Sequence, residues 1–161
     1  MIRNICHEDI LQCVNVIRTS FATVAKEFDI TEENAPRFTG FATDERRISY
    51  HLLVEHRPMY GYFLEGKLIG YYSLWVKNNG ECELNNLCVI PEYRHEKAGH
   101  ELLKHSFETA KQFNCTKMCI GIVEENKVLR KWYENYGFVH VGTEKYDFFP
   151  FTCGYMEKTL E

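Results

Sequence analysis

The sequence predicts an α/β (α+β) fold, with a mixed, mostly antiparallel sheet, a central β-α-β crossover and helices on both faces. Two β-rich runs, Met59–Leu64 and Leu68–Val76, flank the turn Glu65-Gly66-Lys67, which is typical of a hairpin. The strand Cys82–Ile90 is followed by a helical pattern and then by the buried-type strand Lys117–Val123. Such a crossover implies a parallel pair of strands, whereas the hairpins imply antiparallel neighbours.

The N-terminal part of the chain supplies one strand and two helices. Ile2–Ile5 is apolar enough for a first strand, and His7-Glu8-Asp9 then opens a helix with acidic residues where the helix dipole favours them. Apolar residues continue this helix at helical spacing: Ile10, Val14, Ile17 and Phe21. Lys26–Ala42 is predicted to be a loop, or a loop with a short helix. Asp44–Glu55 is predicted to be a second helix that ends before Pro58.

The C-terminal part supplies two more helices and two closing strands. Lys97–Phe113 is predicted to be a helix whose inward-facing residues are Ala98, Leu102, Phe107 and Ala110. Asn126–Tyr136 is predicted to be a helix that ends at Gly137, because glycine favours helix C-termini. The closing strands are Phe138–Tyr146 and Thr152–Lys158. We therefore expect a single domain over residues 1–161.

Composition excludes several classes of protein. The net charge is −4, the pI is about 6.0, and the sequence contains no Lys/Arg cluster. These three properties argue against a nucleic-acid partner. The longest apolar run, near Leu68–Val76, is far shorter than the roughly 20 residues that span a bilayer, so no membrane association is expected. The N-terminal residues show no signal-peptide pattern, which favours the cytoplasm.

The seven cysteines indicate neither a disulfide framework nor a metal site. Their number is odd and no C-x-x-C occurs. Cys115 and Cys119 have a spacing that could ligate a metal, but no second ligand pair follows them. Buried, reduced cysteines and no metal are therefore expected.

The segment between the crossover strand and its helix could hold a phosphate group. The strand ends at Pro91, and the helix begins close to Gly99. A helix N-terminus offers unpaired backbone N–H groups and a positive dipole end. Arg94 and Lys97 add positive charge, and His95 is another possible donor. From spacing alone, an ordinary strand–helix connection with solvated charges is an equally good interpretation.

Two motifs resemble the GNAT superfamily of acetyl-CoA-dependent N-acetyltransferases. The segment Arg94-His95-Glu96-Lys97-Ala98-Gly99 is similar to the family's R/Q-x-x-G-x-G/A signature, and the downstream segment Asn126–Phe138 is similar to its N-x-x-(A)-x-x-(L)-Y-E-x-x-G-F motif. The resemblance implies a GNAT-like fold, acetyl-CoA as co-substrate and transfer of its acetyl group to a primary amine. Lys97 departs from the signature, since the family usually has glycine there.

The resemblance also implies which residues contact acetyl-CoA. The backbone of strand residues before the turn should face the pantetheine arm, the turn should hold the pyrophosphate, and Asn126 should contact the pantetheine side. The resemblance further implies a bulge that splays this strand from the next one, with the cofactor in the gap between them. In this sequence the cofactor-binding candidates are Leu87, Cys88, Val89, Arg94, His95, Glu96, Lys97, Ala98, Gly99, His100, Asn126 and Tyr133.

Tyr133 and Glu83 are the candidate catalytic residues. Tyr133 occupies the position of the motif tyrosine, and its phenol, protonated at neutral pH, could donate a proton to the departing thiolate. The alternative is a core aromatic beside Trp132 and Tyr136. Glu83, the candidate base, is predicted to share a strand face with Leu87, provided that no bulge lies between them. The alternative is an exposed strand carboxylate.

The acceptor is expected to be a small-molecule amine, because no extra domain for protein recognition is present. The family resemblance implies that the first two helices, the loop between them and the last hairpin bind it. Candidate contacts are Glu32, Asn85, which would share the face of Glu83, and Phe149 in an aromatic segment that could also be a dimer contact. Glu32 lies in an acidic loop that could attract a cationic amine, and the alternative is a loop that is simply solvated. A monomer or a homodimer is expected. A non-catalytic acyl-CoA-binding module on the same fold is the alternative function, and an interaction domain without cofactor is a third.

Overall fold

The computed structural model describes residues 1–161 and contains one seven-stranded sheet. The strands are β1 (Ile2–Asn4), β2 (Met59–Leu64), β3 (Lys67–Val76), β4 (Glu81–Val89), β5 (Lys117–Val123), β6 (Val139–Glu144) and β7 (Cys153–Thr159). Their order across the sheet is β1-β2-β3-β4-β5-β7-β6. Only β4 and β5 are parallel, and every other neighbouring pair is antiparallel. The predicted mixed sheet with a central crossover is confirmed.

The helices lie within a few residues of their predicted bounds. They are α1 (Ile10–Glu27), α2 (Thr39–Ala42), α3 (Glu45–Ser49), α4 (Ala98–Gln112) and α5 (Lys127–Glu134). A 3₁₀ turn at His7–Asp9 precedes α1, and a π-helical turn continues α3 over Tyr50–Val54. The loop after α1 contains a short helix, as one of the two predicted alternatives requires. No helix has the length and hydrophobicity that crossing a membrane demands.

Helices cover both faces of the sheet. The Tyr72 hydroxyl lies 2.7 Å from His105 Nδ1 and 2.9 Å from Thr109 Oγ1, both on α4. Because side chains alternate along a strand, Tyr71 and Ser73 face the opposite side, where α1 packs against β3 and β4. We call these the α4 face and the α1 face. Tyr71 and Ser73 are fully buried on the α1 face.

A β-bulge interrupts the central strand β4. Ser73 pairs with Asn85, but Tyr71 pairs with Cys88, so β4 contains one residue more than β3 in this interval. Asn86, at the bulge, has a φ of 57°. The extra residue reverses the alternation, and Cys88 rather than Leu87 returns to the α1 face. The prediction that Leu87 shares a face with Glu83 is therefore wrong, because its condition of an unbroken strand fails.

Beyond its first residues, β4 separates from its parallel neighbour. The two strands pair only from Glu81 opposite Lys117 to Glu83 opposite Cys119. Further along, β4 stays with β3 up to Val89, while β5 stays with β7 up to Val123. A gap therefore opens in the centre of the sheet, and its narrow end is at Glu83.

Candidate active site

A row of unpaired amides lies where β4 leads into α4. The backbone N–H groups of residues 95 to 100 donate no backbone hydrogen bond, and the first such bond of the helix runs from Glu101 N to Lys97 O at 2.9 Å. The positive end of the helix dipole points at the same place. Six consecutive free donors at a helix N-terminus fit an anion such as a pyrophosphate.

Arg94 is directed into the protein instead of toward this row of amides. Its Nε donates to Val89 O at 2.9 Å, Nη1 to Thr23 Oγ1 at 2.9 Å and Nη2 to Ser20 O at 2.8 Å. Burial lowers the pKa of the guanidinium, which nevertheless keeps its charge because arginine titrates far above neutral pH. Arg94 thus fastens the turn to α1 and to the end of β4.

Lys97 adopts a backbone conformation that needs no glycine. Its φ of −95° and ψ of −4° lie in the right-handed region. The left-handed position of the turn is His95, with a φ of 64°. His95, Glu96 and Lys97 are all exposed, so their side chains are free for a ligand beside the amides. The departure from the family signature at Lys97 therefore adds an ammonium group to the site without straining the backbone.

Tyr133 lies on α5, whose first turn is capped by Asn126. The Asn126 Oδ1 atom accepts a hydrogen bond of 3.1 Å from Leu129 N, so this side chain already has a structural role. The Tyr133 ring packs edge-on against Trp132 and Phe138, with centroid distances of 5.0 Å and 5.3 Å. Burial raises the pKa of Tyr133, which keeps its proton in place. This environment suits both a core aromatic and a proton donor.

Glu83 lies at the narrow end of the gap, opposite Cys119. Its side chain is 35% exposed, and Lys77 Nζ lies 3.9 Å from its carboxylate. It lines a small cavity of about 230 Å³ together with Gly121 and Tyr155. Asn85, two residues further along β4, is half-buried on the same face. The predicted neighbourhood of Glu83 and Asn85 is therefore present, although Leu87 is not part of it.

Aromatic side chains join the α1–α2 loop to the segment between β6 and β7. Phe38 lies 5.9 Å from Phe151 between ring centroids, and Phe149 stacks on Phe151 at 4.7 Å. Phe149 is therefore part of a wall shared by the two segments. Glu32 lies exposed on the loop, outside this wall. No cluster of three or more His, Cys, Asp or Glu side chains is placed to hold a metal ion.

Sequence reasoning missed two contacts near the site. Thr39 Oγ1 on α2 donates to Asn86 Oδ1 at 3.0 Å, and the hydroxyls of Tyr146 and Tyr155 lie 2.8 Å apart. Consecutive asparagines within a strand are unfavourable for regular pairing and are a signal for a bulge. No sequence signal places α2 over it.

Comparison with known families identifies the fold. The model of the acetyltransferase (GNAT) family matches residues 25–138. The chain belongs to the GNAT acetyltransferase family. The match extends from the end of α1 through the row of amides and past Tyr133, so it includes both motifs on which the resemblance was based.

Relatives and solved structures agree with this family. A Bacillus subtilis protein, provisionally named as a ribosomal protein bS18-alanine N-acetyltransferase, is 25% identical over 100 residues, which are 60% of this GNAT chain but only 64% of that relative. The PaiA N-acetyltransferase of Thermoplasma acidophilum in complex with coenzyme A superimposes with a TM-score of 0.85 at 22% identity, covering 99% and 98% of the two chains. The structure of a Salmonella typhimurium protein, provisionally named as an acetyltransferase, with its cofactor acetyl-CoA has a TM-score of 0.76 at 17% identity, covering 100% of this chain and 94% of that one.

Proposed function

We propose that this GNAT chain transfers the acetyl group of acetyl-CoA to the primary amine of a small molecule, as a single domain over residues 1–161. The observation that carries the proposal is the row of six free amides at residues 95 to 100, at the end of the strand that borders the gap. The CoA and acetyl-CoA complexes of structural neighbours support the cofactor.

The residues divide into those that hold acetyl-CoA and those that act on the amine. The backbone of Leu87 to Val89 borders the gap and would run beside the pantetheine arm. The amides of residues 95 to 100 would bind the pyrophosphate, with Lys97 and His95 at its exposed side and Asn126 near the gap's far end. Acetyl-CoA supplies an activated acetyl thioester when bound.

Acetyl transfer moves protons both at the amine and at the sulfur. The amine nitrogen must lose one proton before it attacks the thioester carbonyl, and a second one once the C–N bond has formed and the C–S bond breaks. Glu83 would accept the first proton, directly or through water, and Tyr133 would donate its phenolic proton to the departing sulfur. The second proton from nitrogen would pass through solvent to the Tyr133 phenolate and so restore the phenol. Asn85 would orient the amine beside Glu83, and Phe149 would form part of the acceptor wall.

Replacing Glu83 with glutamine tests the base. We expect kcat to fall by about tenfold to a hundredfold at neutral pH, because general-base contributions of 10²–10⁴ are reduced where water can substitute. Lys77→Met is the matched control, since it removes the nearby charge but leaves the carboxylate. A kcat of Glu83→Gln within about twofold of wild type would exclude this role.

The function itself is tested by mass spectrometry of products. Acetyl-CoA is incubated with polyamines, amino acids and a peptide that begins with alanine, because a relative's name refers to a ribosomal protein alanine. Acetylation of a small amine supports the proposal, whereas acetylation of the peptide alone would replace its acceptor with a protein N-terminus. Tight CoA binding without any acetylated product would support a non-catalytic acyl-CoA-binding module. The cytoplasmic location and the oligomeric state stay predictions.

A further inference from the structure

The short helix α2 is held by contacts to other parts of the protein. Four residues are too few for a helix to be stable in water by itself. At its C-terminal end, Arg18 Nη1 on α1 donates to Phe41 O at 3.2 Å and to Thr43 O at 3.0 Å. At its N-terminal end, Phe38 packs against Phe151. The helix is therefore positioned by its neighbours.

A third contact joins α2 to the bulge of β4. Thr39 Oγ1 donates to Asn86 Oδ1 at 3.0 Å, and the Thr39 and Thr43 hydroxyls lie 3.3 Å apart. Asn86 is in the left-handed region, which asparagine tolerates better than most residues with a side chain. The residue that permits the bulge thus also presents its side chain to α2.

We propose that Asn86 and Thr39 form a clamp through which occupancy of the cofactor gap sets the position of α2 on the acceptor side. Asn86 directly precedes Leu87, the first of the three residues that border the pantetheine path. Thr39 directly follows Phe38, which belongs to the aromatic wall of the acceptor side. One hydrogen bond between two side chains therefore links the two substrate regions. This inference rests on the proposed function, because that function places coenzyme A in the gap.

Neither side chain takes part in the chemistry, and both are positioning residues. Asn86 uses its carbonyl oxygen for Thr39, and Thr39 uses its hydroxyl for Asn86 and Thr43. Coenzyme A that fixes the bulge would also fix α2, whose four residues have little stability of their own. The clamp therefore makes the acceptor wall more ordered when the cofactor is present.

The test is hydrogen–deuterium exchange of the segment 38–43, with and without coenzyme A. Asn86→Gly keeps a backbone that tolerates the left-handed φ and removes the acceptor. Thr39→Val removes the donor at constant shape, and Thr39→Ser retains the hydroxyl as the matched control. Segments in β2 and β3 report on global stability, and calorimetry gives the Kd of coenzyme A.

Without coenzyme A, both clamp-deleting variants should exchange roughly threefold to tenfold faster than wild type in this segment, as expected for one hydrogen bond. The double variant should add little to either single one. Coenzyme A should slow the exchange of the segment in wild type and Thr39→Ser, but not in the deleting variants, although these bind it with a Kd within about twofold of wild type. Equal coenzyme A-dependent protection in wild type, Thr39→Ser and the deleting variants would overturn the clamp.

The two proposals fail differently. If wild type does not bind coenzyme A, the proposed function is lost, and the exchange rates measured without ligand still decide whether the hydrogen bond holds α2. If coenzyme A binds but residues 38–43 exchange equally fast in wild type and Thr39→Val, only the clamp is overturned.

Discussion

Replacing Tyr133 with phenylalanine should lower kcat by about 10²- to 10³-fold, while the Kd of coenzyme A stays within about twofold. A fall in kcat of this size is expected when a general acid can no longer donate its proton. Binding should persist, because phenylalanine keeps the packing of the ring against Trp132 and Phe138. Steady-state kinetics with the amine identified by the product screen, together with calorimetry for coenzyme A, measure both quantities.

The pH dependence gives a second measure of the same role. Burial raises the pKa of Tyr133 above its ordinary value near 10, so the active, protonated form should be complete at neutral pH. Activity that depends on this proton is lost only as the pH rises through the folded-state pKa. Wild-type kcat should therefore not fall through ionisation of Tyr133 up to pH ~10, and a fall below that pH that Tyr133→Phe abolishes would contradict this environment.

Tyr136 provides the matched control on the same helix. Its hydroxyl bonds His100 Nδ1 at 2.7 Å and lies closer to the surface. Tyr136→Phe should leave kcat within about threefold of wild type, as expected for loss of one surface hydrogen bond. If Tyr133→Phe turns over as fast as Tyr136→Phe, Tyr133 is a core aromatic only.

Replacing Arg94 with alanine should raise the Kd of coenzyme A by about tenfold to a hundredfold. The guanidinium makes three hydrogen bonds that fasten the turn to Val89, Thr23 and Ser20, and bonds of charged groups contribute about 1.5–3 kcal/mol each. Losing them leaves the row of amides without its attachment to α1. Arg94→Lys should recover only part of the affinity, because an ammonium cannot form the same planar fork.

Thr23→Val separates this positioning role from a direct phosphate contact. The Thr23 hydroxyl, on α1, accepts from Arg94 and donates to Ser20 O at 2.9 Å. Positioning predicts a rise of about threefold to tenfold in the Kd of coenzyme A for Thr23→Val, with the salt dependence of binding unchanged in both variants. Calorimetry at two salt concentrations decides this. The opposite result would be a Kd like that of wild type in Thr23→Val, together with a weaker salt dependence of binding in Arg94→Ala. It would show that Arg94 contacts the phosphates directly.

Periodicity was sufficient to predict most of the fold. Helix α4 shows apolar residues at helical spacing, and its predicted inward residues Ala98, Leu102 and Ala110 are buried. Strand β5 was predicted with its observed bounds, because a short run of apolar residues between turn signals is typical of a buried strand. The structure of these elements depends on the local sequence and on which face is buried. Both can be read from the spacing of apolar residues in one sequence.

The site was predictable only where it coincides with local sequence. The row of amides follows from a strand, a turn and a helix N-terminus that are consecutive in the chain. The family resemblance implied a bulge in this strand but not its position, and the bulge at Asn86 made the assignment of Leu87 to the face of Glu83 wrong. The inward direction of Arg94 depends on Ser20 and Thr23, more than 70 residues earlier in the chain. Contacts over such separations have no periodic signature.

The extra residue in β4 is a difference in the number of residues between two paired strands. Between the pairs Ser73–Asn85 and Tyr71–Cys88, β4 has two residues where β3 has one. Loss of one residue would return β4 to even counting with β3. The change of face between Asn85 and Cys88, just where β4 has left β5, thus corresponds to an insertion of a single amino acid. Sequence drift at the neighbouring positions leaves that insertion intact.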